Sequence, residues 1–239
     1  MANSVAYFLA GKRIFKLLKA TESRIAKGDT SSLGALHRLI SALKSTITWR
    51  TNQDLEVCRQ ACGGHGFLMY SGIAQSVHDY GARVTYEGEN SVLTQQSGRG
   101  LLKAFQKAIA GGKLEEGAEY LKDVKTLLKN KSRVDQEWNA PDIQEALKVR
   151  AAWAISSVGK EVQQLLGQGL SPTAIFLHRI QSDLVKISKF HSEYYIYESA
   201  INELEIADID GNSKRHIECL VRIYGLKCLS EELAPLLMN

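Results

Sequence analysis

Apolar residues recur along this chain at the three-to-four spacing of a buried helical face, and nowhere alternate long enough to build a sheet. The first stretch carries Val5, Phe8, Leu9, Ile14, Phe15 and Leu18 as its inward side. Gly28-Asp29-Thr30-Ser31-Ser32 breaks it, and Ser31 or Ser32 can cap the next helix through its hydroxyl. That second helix runs to about Cys62 with Leu33, Leu36, Leu39, Ile40, Leu43 and Ile47 inward, a length that suggests a bundle spine. After a glycine-rich interval, Val92, Leu93, Leu101, Leu102, Phe105 and Ile109 continue a helix to the paired stop Gly111-Gly112.

Lys113 to Asn139 is charged and less periodic, a connector with one short helix around Tyr120 to Leu128. It places a domain boundary: 1–112 as a helical bundle that carries the candidate chemistry, 113–239 as a second helical domain. In the second half Asn139-Ala140-Pro141-Asp142 caps a helix with Ile143, Leu147, Ala151, Ala154, Val158, Val162 and Leu165 inward, stopping at Gly167. Ser171-Pro172 is a start signal, because proline's missing N–H costs nothing in a first turn. The helix it opens should carry Ile175, Phe176, Ile180, Leu184, Ile187, Phe190, Tyr194 and Tyr197. Asp208-Ile209-Asp210-Gly211-Asn212 is a turn before a last helix with Ile217, Leu220, Val221 and Tyr224. The pattern predicts an all-α fold of two bundles.

Composition narrows the function classes. With 44% hydrophobic and 23% charged residues, 239 in all, the chain has the make-up of a globular protein with a sizeable core. A net charge of +4, scattered along the sequence, does not form the basic stripe nucleic acid requires, though it suits an anionic ligand. No apolar run approaches the ~20 residues of a membrane span, and neither a signal-peptide pattern nor a terminal Ser-Lys-Leu address is expected. Cys58, Cys62, Cys219 and Cys228 have neither disulfide nor zinc spacing and should be free buried thiols.

The candidate chemistry lies between Cys58 and Lys103. Thr85-Tyr86-Glu87-Gly88-Glu89-Asn90 sets a carboxylate on a short turn between an aromatic residue and a glycine. A carboxylate against apolar walls loses solvation, its pKa rises, and it becomes a general base near neutral pH. Gly88 lets a ligand approach the backbone. The same Glu87 could equally be a first-turn glutamate favoured by the helix dipole. Gly63-Gly64-His65-Gly66 could turn several N–H groups toward a phosphate, or simply end a helix. His65 and His78 have no ligand-spaced partners, His191 sits among aromatics, and Asp208-Asp210 lacks the rest of a calcium loop, so no metal is expected. Tyr194, Tyr195 and Tyr197 are most simply packing.

The stretch CRQACGGHGF followed by TYEGENSVLTQQSGRGLLK resembles the C-terminal half of the peroxisomal acyl-CoA oxidases, of the acyl-CoA dehydrogenase superfamily of flavoenzymes. The likeness reaches back through LHRLISALKSTITWRTNQDLEVCRQACGG and, more faintly, forward to LVRIYGLKCLSEE. It implies oxidation of an acyl-CoA to the trans-2-enoyl-CoA with FAD as cofactor, O2 as electron acceptor and hydrogen peroxide as product. Glu87 falls on the family's α-proton base, with Tyr86 and Gly88 as substrate contacts. Gln60, Gly63 and Gly64 fall on the segment that reaches FAD held by a neighbouring subunit, which implies a homodimer or a partner chain. Glu89 and Asn90 follow as further flavin contacts. The resemblance also implies a peroxisomal location, and an N-terminal helical domain and a β domain ahead of this stretch, neither of which the sequence carries. A helical interaction module that inherited the motif without the reaction is the alternative.

Overall fold

In the computed structural model, which describes residues 1–129 and 138–233, every regular element is helical. The long helices are α1 (Ala2–Ile25), α2 (Leu33–Ala61), α5 (Asn90–Ile109), α7 (Ala140–Gly167), α9 (Gln181–Glu205) and α10 (Gly211–Glu231). Short helices α3 (Gly63–Phe67), α4 (Ile73–Gly81), α6 (Val124–Leu127) and α8 (Pro172–His178) join them, with single 3-10 turns at Met69–Ser71, Ala82–Val84 and Glu119–Asp123.

The centre of the molecule is α9, with α1, α2, α5, α7 and α10 packed around it. Tyr194, Tyr195, Ile196 and Tyr197 are buried in succession, so every face of α9 is covered along this stretch. The bundle spine is therefore α9 rather than α2. Gly98 explains how closely α5 crosses it: a Cβ there would stand 2.7 Å from the Leu184 carbonyl oxygen.

One core cluster includes Leu39, Leu101 and Phe105 together with Leu147, Ile155, Phe190 and Tyr224. The expected division at residues 112 and 113 is thus not a break in packing. Nor is the connector loose throughout, because Tyr120, Leu121, Val124 and Leu127 fill the same core. The middle of that connector, 130–137, lies outside the described residues.

Capping follows the sequence closely in the second half. Asn139 and Asp142 exchange side-chain-to-backbone bonds in a full capping box. Ser171 accepts from Ala174 N–H, and Asp210 from Asn212 and Ser213. At α2 the expectation fails. Ser32 occupies the cap position without a side-chain bond, and Asp29 accepts from Ser31 N–H instead.

Other inward assignments need correction. Phe8 and Phe15 of α1 are exposed, with the ammonium groups of Lys12 and Lys19 over their rings, and the buried stripe runs through Ala6, Leu9 and Ala10. Leu33 and Ile40 of α2, and Val92 and Ile109 of α5, also face outward. The helix opened by Pro172 stops at His178, and a new one begins at Gln181. All four cysteines are free as expected, yet Cys228 alone is buried.

His191 is fully buried, stacked on Tyr120 with its Nδ1 3.0 Å from the Tyr120 hydroxyl. Burial, helped by the charge of Arg38, pushes its pKa from 6.5 down to about 3. Between those values the unfolded chain binds more protons than the folded one, so stability rises with pH across that window and is lost on acidification. Lowering the pH from 7 to 5 should remove about 2 kcal/mol through this residue. In urea titrations at the two pH values, His191→Phe should flatten that difference. An unchanged pH dependence in the variant would show that His191 is not its source.

Candidate functional site

The turn with Glu87 is built from both sides. Upstream, Ala82 O accepts from Thr85 and Tyr86 N–H, and the Thr85 hydroxyl bonds the same oxygen, closing the 3-10 turn. Downstream, Glu89 is the cap of α5, accepting from Val92 N–H at 3.0 Å. Bonds from the Ser91 backbone and from Val92 hold its carboxyl below the usual range. Between these anchors, Glu87 has φ +58° and Gly88 φ +101°. Among the described residues Glu87 is the only non-glycine in the left-handed region. Such a conformation costs about 1–3 kcal/mol and persists where the surroundings over-determine it.

Those surroundings come from α2. Lys44 Nζ donates to Gly88 O and to Asn90 Oδ1, each at 2.8 Å. Asn90 is fully buried, and its Nδ2 donates to Thr48 Oγ1 at 2.9 Å and Ser45 O at 3.3 Å. Gly88 packs against Leu93, whose Cδ2 would lie 2.9 Å from an added Cβ. Lys44 has its own pKa lowered, first by desolvation, against the raising pull of Glu87 and Glu89.

Sequence reasoning missed Lys44 and Thr48. Their role depends on contacts across more than forty residues, which no local spacing signals. Asn90, a flavin contact by the resemblance, is fully enclosed in this chain, with its side chain bonded to Lys44, Thr48 and Ser45, so it anchors the turn.

Among the described residues, no apolar walls enclose Glu87. Lys44 pulls Gly88 and Asn90 onto α2, and Glu87 is turned outward and exposed, beside Tyr86 at 43% exposure.

The second group sits at the far end of α2. Gln60 donates to Glu56, which Arg59 also holds through two bonds and draws down to about pKa 2. Gly63 takes φ +57° and begins α3, and neither Gly63 nor Gly64 would place a Cβ within 4 Å of anything. Gly66 is different: a Cβ there would sit 2.0 Å from Arg59 O. His65 Nδ1 meets the Tyr70 hydroxyl at 2.6 Å, so it is an interaction within the segment. Val57, Phe67, Met69 and Tyr70 are exposed around these glycines.

From Lys44 to Ala61 is about 26 Å of helix. One chain therefore does not bring Gln60, Gly63 and Gly64 together with Glu87 in a single pocket. No group of three or more His, Cys, Asp or Glu side chains among the described residues could hold a metal ion. No described helix is long and apolar enough to cross a membrane.

Two family models match the chain: "Acyl-CoA oxidase, C-alpha1 domain" over residues 1–102 and "Acyl-CoA oxidase" over residues 139–239. Peroxisomal acyl-coenzyme A oxidase 1 of Mus musculus is 32% identical over 201 residues, 81% of this chain and 30% of that protein. Its counterpart from Arabidopsis thaliana is 30% identical over 242 residues, 99% of this chain and 35% of that protein. Among solved structures, Arabidopsis thaliana acyl-CoA oxidase 1 superposes with a TM-score of 0.92 at 27% identity, covering 99% of this chain and 36% of that one. An acyl-CoA oxidase-2 from Caenorhabditis elegans, bound with FAD, ascaroside-CoA and ATP, shares the fold with a TM-score of 0.87 at 24% identity, covering 100% of this chain and 36% of that one. The chain spans about a third of the length of these relatives. It belongs to the acyl-CoA oxidase family and corresponds to that family's C-terminal helical domains.

Proposed function

We propose that this chain is the base-bearing portion of an acyl-CoA oxidase, converting an acyl-CoA to the trans-2-enoyl-CoA during fatty-acid oxidation in peroxisomes. The observation that carries the proposal is Glu87, strained at φ +58°, exposed, and fixed by a turn that Lys44 and Asn90 tie to α2. Family membership supplies the reaction class, and the relatives' names supply the location.

The carboxylate of Glu87 takes the proton from the carbon next to the thioester and ends as the carboxylic acid. The electron pair of that C–H bond becomes the new double bond as hydride leaves the β-carbon. A bound FAD would supply the hydride acceptor, with the two electrons going on to O2 and the hydride's proton plus the one Glu87 gives up as its carboxylate is restored completing hydrogen peroxide. Tyr86 and Gly88 flank the reacting carbon, and the Gly88 carbonyl stays on Lys44. Since Glu87 is exposed in this chain, the apolar walls that would raise its basicity come from a partner surface, either a second copy or a chain with the remaining domains.

Gly63 and Gly64 fit a flavin contact, because open space where a Cβ would stand lets another surface reach the backbone, and Gln60 is exposed beside them. Glu89 and Asn90 fit differently. Glu89 caps α5 and Asn90 is buried, so they hold the turn and leave the cofactor to others. The separation of the two groups along α2 agrees with one active site served by two subunits.

Mixing the chain with a polypeptide that carries acyl-CoA oxidase N-terminal and β domains tests the reading. The mixture should retain flavin, bleach near 450 nm when an acyl-CoA is added without oxygen, and release hydrogen peroxide when air is admitted. A chain that retains no flavin in any such mixture is instead a helical interaction module. The exposed Phe67, Met69 and Tyr70 would then be its contact surface.

A further inference from the structure

About six residues before Lys44 along α2, roughly 9 Å of helix, a cavity of about 430 Å3 opens between α2, α5 and the segment that follows α5. Arg38, Arg99, Lys103 and Lys107 line it against a single carboxylate, Glu115. Arg38 is only 8% exposed, and its guanidinium has one partner, Glu115 at 3.4 Å from Nη1. Its Nε and Nη2 are buried with no acceptor. The hydroxyl of Ser97, also on the lining and fully buried, has none either.

A guanidinium keeps its charge at any ordinary pH. Burying one without acceptors leaves its lost hydration uncompensated. Glu115 does not compensate alone, since it is also 3.6 Å from Lys107 Nζ and is itself partly exposed. Arg99 contributes field more than contact, because its guanidinium lies over the Phe176 ring at 5.3 Å. The fold has therefore gathered four positive charges where its own residues supply one negative.

We propose that this cavity binds a small phosphate-bearing anion, held by Arg38, Lys103 and Lys107. A phosphate offers several acceptor oxygens and up to two charges, whereas a carboxylate would leave most of these donors unmet. The volume exceeds that of a lone phosphate, leaving room for a second phosphate or an organic remainder against Ala104 and Leu114. The site is independent of the oxidase reading, since it is formed by this chain's own helices and needs neither flavin nor Glu87.

The 239-residue chain, titrated calorimetrically with inorganic phosphate and with inorganic pyrophosphate at constant ionic strength, provides the test. Lys103 and Lys107 are exposed, so K103Q/K107Q should melt in chloride as the unaltered chain does. Saturable one-site binding is expected, tighter for pyrophosphate, and weaker by about tenfold or more in the variant. Absence of saturable binding by either probe would mean that water alone satisfies Arg38, and would overturn the proposal. So would binding that the double variant leaves undiminished, or heats that chloride reproduces.

Discussion

Glu193→Gln should cost about 3–5 kcal/mol of stability, because it leaves a buried arginine without its countercharge. Arg150 is fully buried, and its Nη2 meets Glu193 Oε2 at 2.5 Å, while Nη1 donates to Cys228 O at 2.6 Å and the guanidinium lies 4.4 Å from the Phe190 ring centre. Burial pushes the Glu193 carboxyl upward, and Arg150 is the largest opposing influence. The two partners are not equivalent. A glutamate abandoned by its arginine can take up a proton, whereas the arginine cannot lose one. Glu193→Gln should therefore be the more damaging single change, and Arg150→Met the milder.

The double variant Arg150→Met/Glu193→Gln removes both charges and should recover part of the loss. Urea midpoints with unchanged slopes would measure all three. If the double variant is as unstable as the sum of the singles, the pair carries no mutual interaction and this account of α7, α9 and α10 fails. A loss of that size matters, because domains have only about 5–15 kcal/mol of net stability.

How much of this was legible beforehand differs from element to element. Helix starts with a chemical signature were readable: Asn139 with Asp142 and Ser171 with Pro172 begin helices where expected, whereas Gly211 and Asn212, read as part of a turn, already belong to α10. Which face of a helix is covered was less so. Phe8 and Phe15 have the spacing of a buried stripe, but Lys12 and Lys19 lie over them, and periodicity does not separate a covered apolar face from an open one. The break at Arg179 and Ile180 went unseen because so short an interruption keeps the apolar residues on either side in phase.

The turn at Glu87 was legible as a turn, from the glycine that follows it. Its support was not, since Lys44 and Thr48 belong to a helix far earlier in the chain. Asn90 illustrates the cost. The resemblance implied a flavin contact there, and only the packing of α2 on α5 shows that its side chain is turned inward.

Glu87→Gln should slow flavin reduction by acyl-CoA, in the reconstituted assembly, by about 10²–10⁴-fold, the range for losing a positioned general base. In free energy that is about 3–5 kcal/mol at the transition state. The substitution keeps size and hydrogen bonding, and the position is exposed, so the melting curve should barely move. Flavin retention and acyl-CoA affinity should also stay, because in the proposed role the carboxylate acts in proton transfer rather than in holding either molecule. Lys44→Met separates the base from its support. It removes the bonds to Gly88 O and Asn90 Oδ1 but leaves the carboxylate, so turnover should fall less, about tenfold, through lost positioning. Lys44→Arg, which keeps the charge and donors, should recover part of that. If Glu87→Gln bleached flavin as fast as the unaltered chain, the proton would have to go elsewhere, and the strained turn would be an inherited shape without a reaction.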